Sequence, residues 1–175
     1  MWGGVVDQSW AVPNHCNENT CTSTASIEAI THLRSRMAHV HKSTVTLRII
    51  GEDLIPAEIT TMLGASPTHA VRKGDTIVGR KTGHGRIAKT GIWNFSAPER
   101  EPEKIDGQIE WILDQLTQDL TVWQRLTKMY RIDLFCGLFM HEDNEGMTIS
   151  PRSLVALGER GIELGLDIYY NGEAD

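Results

Sequence analysis

The sequence has few features of membrane-embedded or exported proteins. Its longest uninterrupted apolar run is Leu134–Met140, far below the roughly 20 residues that a membrane-spanning helix needs. The amino terminus, MWGGVVDQSW, has neither the basic region nor the apolar region of a secretory signal. Its three cysteines, Cys16, Cys21 and Cys136, are odd in number and scattered, so they indicate no disulfide framework. We therefore expect a cytoplasmic protein without a membrane partner.

The motifs of common enzyme and metal sites are also missing. No G-x-S-x-G elbow of a serine hydrolase is present, and Cys136 lies in an apolar strand where a thiol is buried rather than activated. The cysteines and histidines do not have the short fixed spacing of a zinc site. The acidic stretch His141–Gly146 could hold a divalent cation, but it lacks the alternation of a calcium loop and favours a hairpin turn. We expect no metal and no cofactor.

One stretch, GDTIVGRKT (Gly74–Thr82), is close to the phosphate-binding loop of nucleotide hydrolases. In this chain Arg80 stands between the second glycine and Lys81, which displaces the lysine and threonine by one residue. The glycines at 83 and 85 then make an immediate helix improbable. The motif is therefore not a nucleotide site, and a hairpin is the simpler interpretation.

The charge is acidic overall but unevenly distributed. A net charge of −6 argues against nonspecific binding of nucleic acid, which depends on basic residues that neutralise phosphates. Six basic residues nevertheless lie between Val71 and Thr90, with Asp75 as the one acid among them: Arg72, Lys73, Arg80, Lys81, Arg86 and Lys89. This segment is either a solvated hairpin tip or a surface for anions.

The first 42 residues differ from the rest and are predicted to be an amino-terminal extension. Residues 1–23 show no apolar period and resemble a loop or a disordered segment. Apolar residues at 27, 30, 33, 37 and 40 then have the spacing of an amphipathic helix. Met37 is a plausible native start, so residues 1–36 could be an upstream extension of the reading frame. A single domain is predicted over residues 43–172.

The apolar pattern of that domain predicts an α+β fold. Residues 44–50 alternate as a half-buried strand, and Pro56 opens a short helix that ends at Gly64. One long helix is predicted on a stripe of seven apolar residues between Ile105 and Trp123. A strand over residues 131–140, a turn, a return strand over 147–150, a helix opened by Pro151 and a last strand over 164–170 follow. We expect a mostly antiparallel sheet with helices packed on one face, in two β-α-β-like halves.

Several sequence motifs, in their order along the chain, resemble those of a known family. They are TLRIIGEDLIPAEITTMLGASPTHAVRKGD from Thr46, KTGIW from Lys89, and the closing LGLDIYY. Over about residues 44–170 the chain resembles a bacterial family catalogued as domain of unknown function 4279. The resemblance implies a compact cytosolic α+β domain, and it brings no catalytic residues with it.

The residues themselves give one candidate ligand site. Arg48 and Asp167 lie in the first and last predicted strands, each between apolar neighbours that should face the core. If the strands are adjacent, an Arg48–Asp167 pair beside Trp93 could line a ligand groove, with Lys73 and Lys89 of the basic segment nearby. The alternative, which we favour, is an ion pair that only fastens two strands.

These observations leave two functions open. The first is a non-enzymatic module that binds a protein partner, another copy of itself included, through the sheet or the basic hairpin. The second is a small-molecule or anion-binding protein, or an enzyme without a recognised motif, that uses the candidate ligand site.

Overall fold

The computed structural model describes residues 39–78 and 83–170. Of the predicted extension, residues 1–38 lie outside the described residues, and with them most of the predicted amphipathic helix; Val40 is buried in the core of the domain. The two described ranges contain seven strands and four helices. They are β1 (Lys42–Gly51), α1 (Pro56–Leu63), β2 (His69–Val71), β3 (Thr76–Val78), β4 (Gly85–Ile87), β5 (Gly91–Ser96), α2 (Ile105–Asp114), α3 (Leu120–Met129), β6 (Arg131–Met140), α4 (Pro151–Glu159) and β7 (Glu163–Tyr170).

Five strands form the main sheet, in the order β2-β5-β1-β6-β7. The pairs β2–β5, β5–β1 and β1–β6 are antiparallel, and β6–β7 is parallel. Because β1 and β2 both run antiparallel to β5, they are parallel to each other, and α1 connects them. The unit β6-α4-β7 repeats this arrangement with adjacent strands. The predicted α+β fold, its mostly antiparallel sheet and its two β-α-β-like halves are confirmed.

The core lies on one face of the sheet. In β1, Val45, Leu47 and Ile49 are fully buried while the residues between them are half-buried, which is the alternation of a strand with one covered face. Helix α2 begins against β1, where the Gln108 amide donates to the Ser43 carbonyl and the Ser43 hydroxyl donates to Gln108. The helices therefore cover one face and leave the other without a helical layer in the described residues.

The single long helix predicted from Ile105 to Trp123 is wrong. The chain forms α2 and α3 with a break at residues 115–119. In that break the Gln118 amide donates to the carbonyls of Leu113 and Leu116, and the Asp119 carboxylate accepts from the Thr121 N–H as an N-cap. The apolar spacing continues through the break because both helices and Leu116 face the same core.

The predicted return strand over residues 147–150 is also wrong. This segment contains no strand, and Gly146 instead makes an isolated bridge with His39. The Glu145 carboxylate holds the turn by accepting the backbone N–H groups of His41, His141 and Glu142. Ser150 caps α4, so the residues after the turn lead into the helix rather than back along the sheet.

The segment that resembled a phosphate-binding loop is a hairpin in its described parts. Strands β3 and β4 pair antiparallel, with Thr76 opposite Ile87 and Val78 opposite Gly85. This confirms the hairpin interpretation for the two described arms. Separately, within residues 39–78 and 83–170 no helix combines the length and apolar character needed to span a bilayer.

Candidate functional site

The face of the sheet opposite the helices carries polar side chains from its central and outer strands. Cross-strand partners share a face, and Arg48 of β1 lies opposite Asn94 of β5 and Asp133 of β6. We call this surface the polar face, and define it by Thr46, Arg48, Asn94, Asp133, Phe135 and Asp167. It is the place in the described fold where ionisable groups of the sheet come together.

An ion pair between Arg48 and Asp133 lies at the centre of the polar face. The guanidinium Nε and Nη2 donate to the two carboxylate oxygens at 2.6 and 3.0 Å. The Asp133 side chain is only 2% exposed and that of Arg48 32%. The guanidinium carbon lies 4.5 Å from the centre of the Phe135 ring, a cation–π contact. The pair is doubly hydrogen-bonded, and the Phe135 ring shields the guanidinium on one side.

The ion pair continues towards the last strand. Arg131 Nη2 lies 3.6 Å from Asp133 and 3.5 Å from Glu163 of β7. The charges of β1, β6 and β7 therefore alternate in sign across three strands. Such a network fastens strands together, which is the structural role that we favoured for Arg48, but with a different partner from the predicted one.

The predicted Arg48–Asp167 pair does not form. Strand β6 separates β1 from β7, and Asp167 lies opposite Gly137 rather than opposite Asp133. Asp167 does lie on the polar face, where its carboxylate accepts the Tyr169 hydroxyl. That hydrogen bond, with smaller effects of burial and of the negative charge, raises the pKa of Tyr169.

Trp93 lies on the opposite face of the sheet from Arg48. It pairs with Ile49 and is fully buried under the helices, where its indole N–H donates to the Thr60 hydroxyl at 3.1 Å. The structure therefore does not bring Trp93 to the candidate groove.

The two predicted lysines follow β2 and β4 in the chain and are not part of the polar face. Lys73 Nζ pairs with the Glu52 carboxylate at 2.5 Å, and this hydrogen bond raises the pKa of Lys73 and lowers that of Glu52. Lys89 is exposed in the link between β4 and β5. The described contacts of Lys73 are thus with the β1–α1 turn and not with the polar face.

Sequence reasoning missed Asp133 and Asn94. Asp133 is the lone carboxylate within the apolar strand RIDLFCGLFM, and such a residue needs a partner when the strand is central in a sheet. Asn94 Oδ1 is buried beside Arg48 without a hydrogen-bond partner among the described residues. The composition of each strand contained these signals, but the order of the strands was needed to connect them.

The described residues contain no assembled nucleophile or metal centre. Cys136 is fully buried, as predicted, and burial raises the pKa of its thiol to about 12, so it stays protonated at neutral pH. Within residues 39–78 and 83–170, no three side chains of His, Cys, Asp or Glu are arranged to hold a metal ion.

A second surface, at the outer edge of β7, is apolar. Leu166 and Ile168 pair with the buried residues Cys136 and Leu138, so they point to the helix-covered side, yet they are 48% and 61% exposed. Leu154 of α4 is 49% exposed. We call Leu154, Leu166 and Ile168 the edge patch. It leaves large apolar side chains exposed on a strand that pairs, among the described residues, with β6 alone.

The position of α4 explains this exposure. Of the large apolar residues of α4, Leu157 is buried, whereas Leu154 and Val155 are 49% and 58% exposed. Arg152 forms an ion pair with Glu110 of α2 at 3.3 Å, and residues two apart on a helix point about 200° from each other. Leu154 therefore lies on the flank of α4 that faces away from α2, on the outer side of the helical layer.

Comparison with known proteins identifies the chain at the level of its family. No curated protein and no solved structure matches it. The model of the family described as Domain of unknown function (DUF4279) matches residues 41–171, which covers the whole sheet and all four described helices. The chain belongs to this family of domains of unknown function.

Proposed function

We propose that this protein is a non-enzymatic protein-interaction module of the cytoplasm, and that it binds its partner along the β7 edge. The observation that supports this proposal most strongly is the edge patch, where Leu166 and Ile168 are exposed on an outer strand. An unpaired strand edge offers a row of backbone donors and acceptors to an added strand, and neighbouring apolar side chains add burial. Contiguous exposed apolar side chains typically mark interaction surfaces.

The polar face is less suited than the edge patch to bind a partner, because its charged and hydrogen-bonding side chains already bind one another. The Asp133 carboxylate holds two donors of Arg48, and the Thr46 hydroxyl is hydrogen-bonded to Ser96 at 2.9 Å. A ligand that used the Arg48 guanidinium in full would have to break a doubly hydrogen-bonded pair. The edge patch has no such internal competitor among the described residues.

Site-specific photocrosslinking in the native host tests the proposal. A photoreactive amino acid is placed at Ile168, and in a matched control at Ile87, which is also 61% exposed but lies in the hairpin strand β4. We expect a discrete protein adduct from position 168, identified by mass spectrometry, and none from position 87. Equal adducts at both positions, or none at 168, would reject the β7 edge as the interaction surface.

The second candidate function is binding of a small molecule or an anion on the polar face. It is favoured by one observation, the buried and unpartnered Asn94 Oδ1 beside the Arg48 guanidinium. A thermal-shift screen with nucleotides and phosphorylated metabolites tests it. Asn94→Leu removes the unpartnered oxygen and keeps both members of the Arg48–Asp133 ion pair. A specific stabilisation that is lost in this variant would support this function. A stabilisation unchanged in that variant would place the ligand elsewhere, with Lys73 and Lys89 as the next positions to replace.

A further inference from the structure

The partner of the β7 edge can be specified further, on the assumption that the proposed function is correct. We propose that the edge binds a second copy of the same chain, so that two sheets join through antiparallel β7 strands about a two-fold axis centred on Leu166. Three features of β7 favour this pairing: its length and regularity, its two carboxylates, and the side of the sheet that carries its apolar residues.

Strand β7 has little of the usual protection of a sheet edge, and its charged side chains are the two carboxylates Glu163 and Asp167. Outer strands are commonly blocked by proline, lysine, a bulge or a very short length. Glu163–Tyr170 is eight residues long and contains neither proline nor lysine. Its register with β6 runs without interruption from the Asp133–Glu163 pair to the Met140–Tyr170 pair, so no bulge turns the edge away. The edge is therefore regular enough to accept another strand.

A two-fold axis perpendicular to the sheet is the symmetry that suits this edge. It pairs identical strands antiparallel and keeps the helices of both copies on the same side. Directly opposed residues then share a face, so the axis must pass through a residue of β7 rather than between two residues. The choice is thus limited to a few registers.

The two carboxylates of β7 select among these registers. An axis at Asp167 would place that carboxylate against its own copy, and an axis at Gly165 would place Glu163 against Asp167 of the second copy. Like charges directly opposed across strands are destabilising. An axis at Ile168 avoids both clashes but pairs only residues 166–170. Leu166 is the centre that gives the longest pairing without opposed carboxylates.

The pairs formed about Leu166 are chemically compatible. On the helix side, Leu166 meets its own copy, and Leu164 meets Ile168 of the second copy. On the polar face, Gly165 leaves room opposite Asp167, and Glu163, whose carboxylate already lies 3.5 Å from Arg131, meets Tyr169. The two-fold axis keeps α4 of both copies on the same side of the joined sheet, so the exposed apolar residues of both edge patches, Leu154 included, lie on that side.

Sedimentation equilibrium of the full chain tests the dimer. We expect a reversible monomer–dimer equilibrium in the wild type. Leu166→Lys places two lysines against each other at the axis and should weaken the dimer by more than about tenfold, because like charges opposed at an interface are strongly unfavourable. Ile87→Lys, an equally drastic change at an exposed hairpin position, should leave the dimer intact. Wild-type chain that stays monomeric at high concentration, or equal weakening by both variants, would overturn the proposal.

Disulfide trapping tests which residues of the two β7 strands lie opposite each other. Its result does not depend on the affinity of the dimer alone. In a full-length background with Cys16 and Cys21 replaced by serine and Cys136, the neighbour of Leu166 in β6, replaced by valine, Leu166→Cys should crosslink to itself, since opposed residues of antiparallel strands lie within disulfide range. Ile168→Cys should not crosslink to itself, but should do so with Leu164→Cys when the two variants are mixed. Self-crosslinking at 168 alone would reject the Leu166 centre. A monomeric chain that still gives adducts to a different protein at position 168 would reject the dimer and leave the proposed function standing.

Discussion

The two edges of the five-stranded sheet differ in the way that they meet solvent. The β2 edge is three residues long, begins one residue after Thr68 and two after Pro67, and leads directly into Arg72 and Lys73. The β7 edge is eight residues long and carries large apolar side chains on its helix side. A short strand flanked by proline and basic residues resists further pairing, whereas a long apolar edge invites it.

This difference indicates where selection for association would act. Both edges belong to one sheet with one buried face, so burial of the core does not require them to differ. Leu166 and Ile168 are 48% and 61% exposed, so polar residues at these positions would have cost the core little buried apolar area. Their exposure therefore fits a surface that is covered by something else, and this is the central claim of our proposal.

The largest loss of stability is expected from a substitution in the core that both edges share. Leu116 is 4% exposed in the break between α2 and α3, and truncation to alanine should cost about 2–5 kcal/mol of unfolding free energy because it leaves a cavity. Glu110→Ala, which removes an exposed ion pair with Arg152, should cost no more than about 0.5 kcal/mol. Chemical denaturation compares the two variants. Equal small losses would mean that the helical layer does not support the sheet as described.

An intermediate effect is expected from the ion network that joins the centre of the sheet to the β7 edge. Asp133→Asn leaves Arg48 without its anionic partner, and a cost of about 2–3 kcal/mol is expected, less than for a fully buried pair because the arginine is partly exposed. Glu163→Gln removes only the exposed end of the network, and should cost less than about 1 kcal/mol. If both variants unfolded at the same denaturant concentration, Asp133 would not be the centre of the network.

The smallest effect concerns the turn beside the β7 edge. Burial raises the pKa of Glu145, but three backbone N–H donors outweigh it, so the pKa lies below the ordinary 4.5. A lowered folded-state pKa contributes stability above the unfolded-state value and loses it as the pH falls through the folded-state value. The wild type should therefore be more stable than Glu145→Gln at neutral pH, with the difference shrinking below pH 4.5. Denaturation curves over this range measure it, and a difference independent of pH would contradict the assigned contacts.

Local sequence patterns predicted those parts of the fold that depend on neighbouring residues. The alternation of Val45, Leu47 and Ile49 identified the covered face of β1, and Pro56 and Gly64 marked the ends of α1, with Gly64 at a positive φ of 79°. The helix break was missed because apolar spacing continues across it, although Gln118 and Asp119 supply the hydrogen bonds that stop one helix and start the next.

The candidate site could be predicted only in part, because it depends on which strands are neighbours. The alternation of apolar and polar residues along each strand correctly placed Arg48 and Asp167 on the face away from the core. It could not show that β6 lies between their strands, or that Trp93 shares a face with Ile49 rather than with Arg48. The exposure of Leu154 could not be predicted from the sequence either. A helix packed on the outermost strands of a sheet buries fewer of its apolar side chains than its composition indicates.

Hydrogen–deuterium exchange of the full chain, measured residue by residue at low and high protein concentration, tests the contrast between the two edges most directly. We predict that amides of Glu163–Tyr170 become more protected as concentration rises, while those of His69–Val71 do not change. Exchange of β7 that is independent of concentration, or protection that rises equally at both edges, would contradict the pairing of two copies through β7.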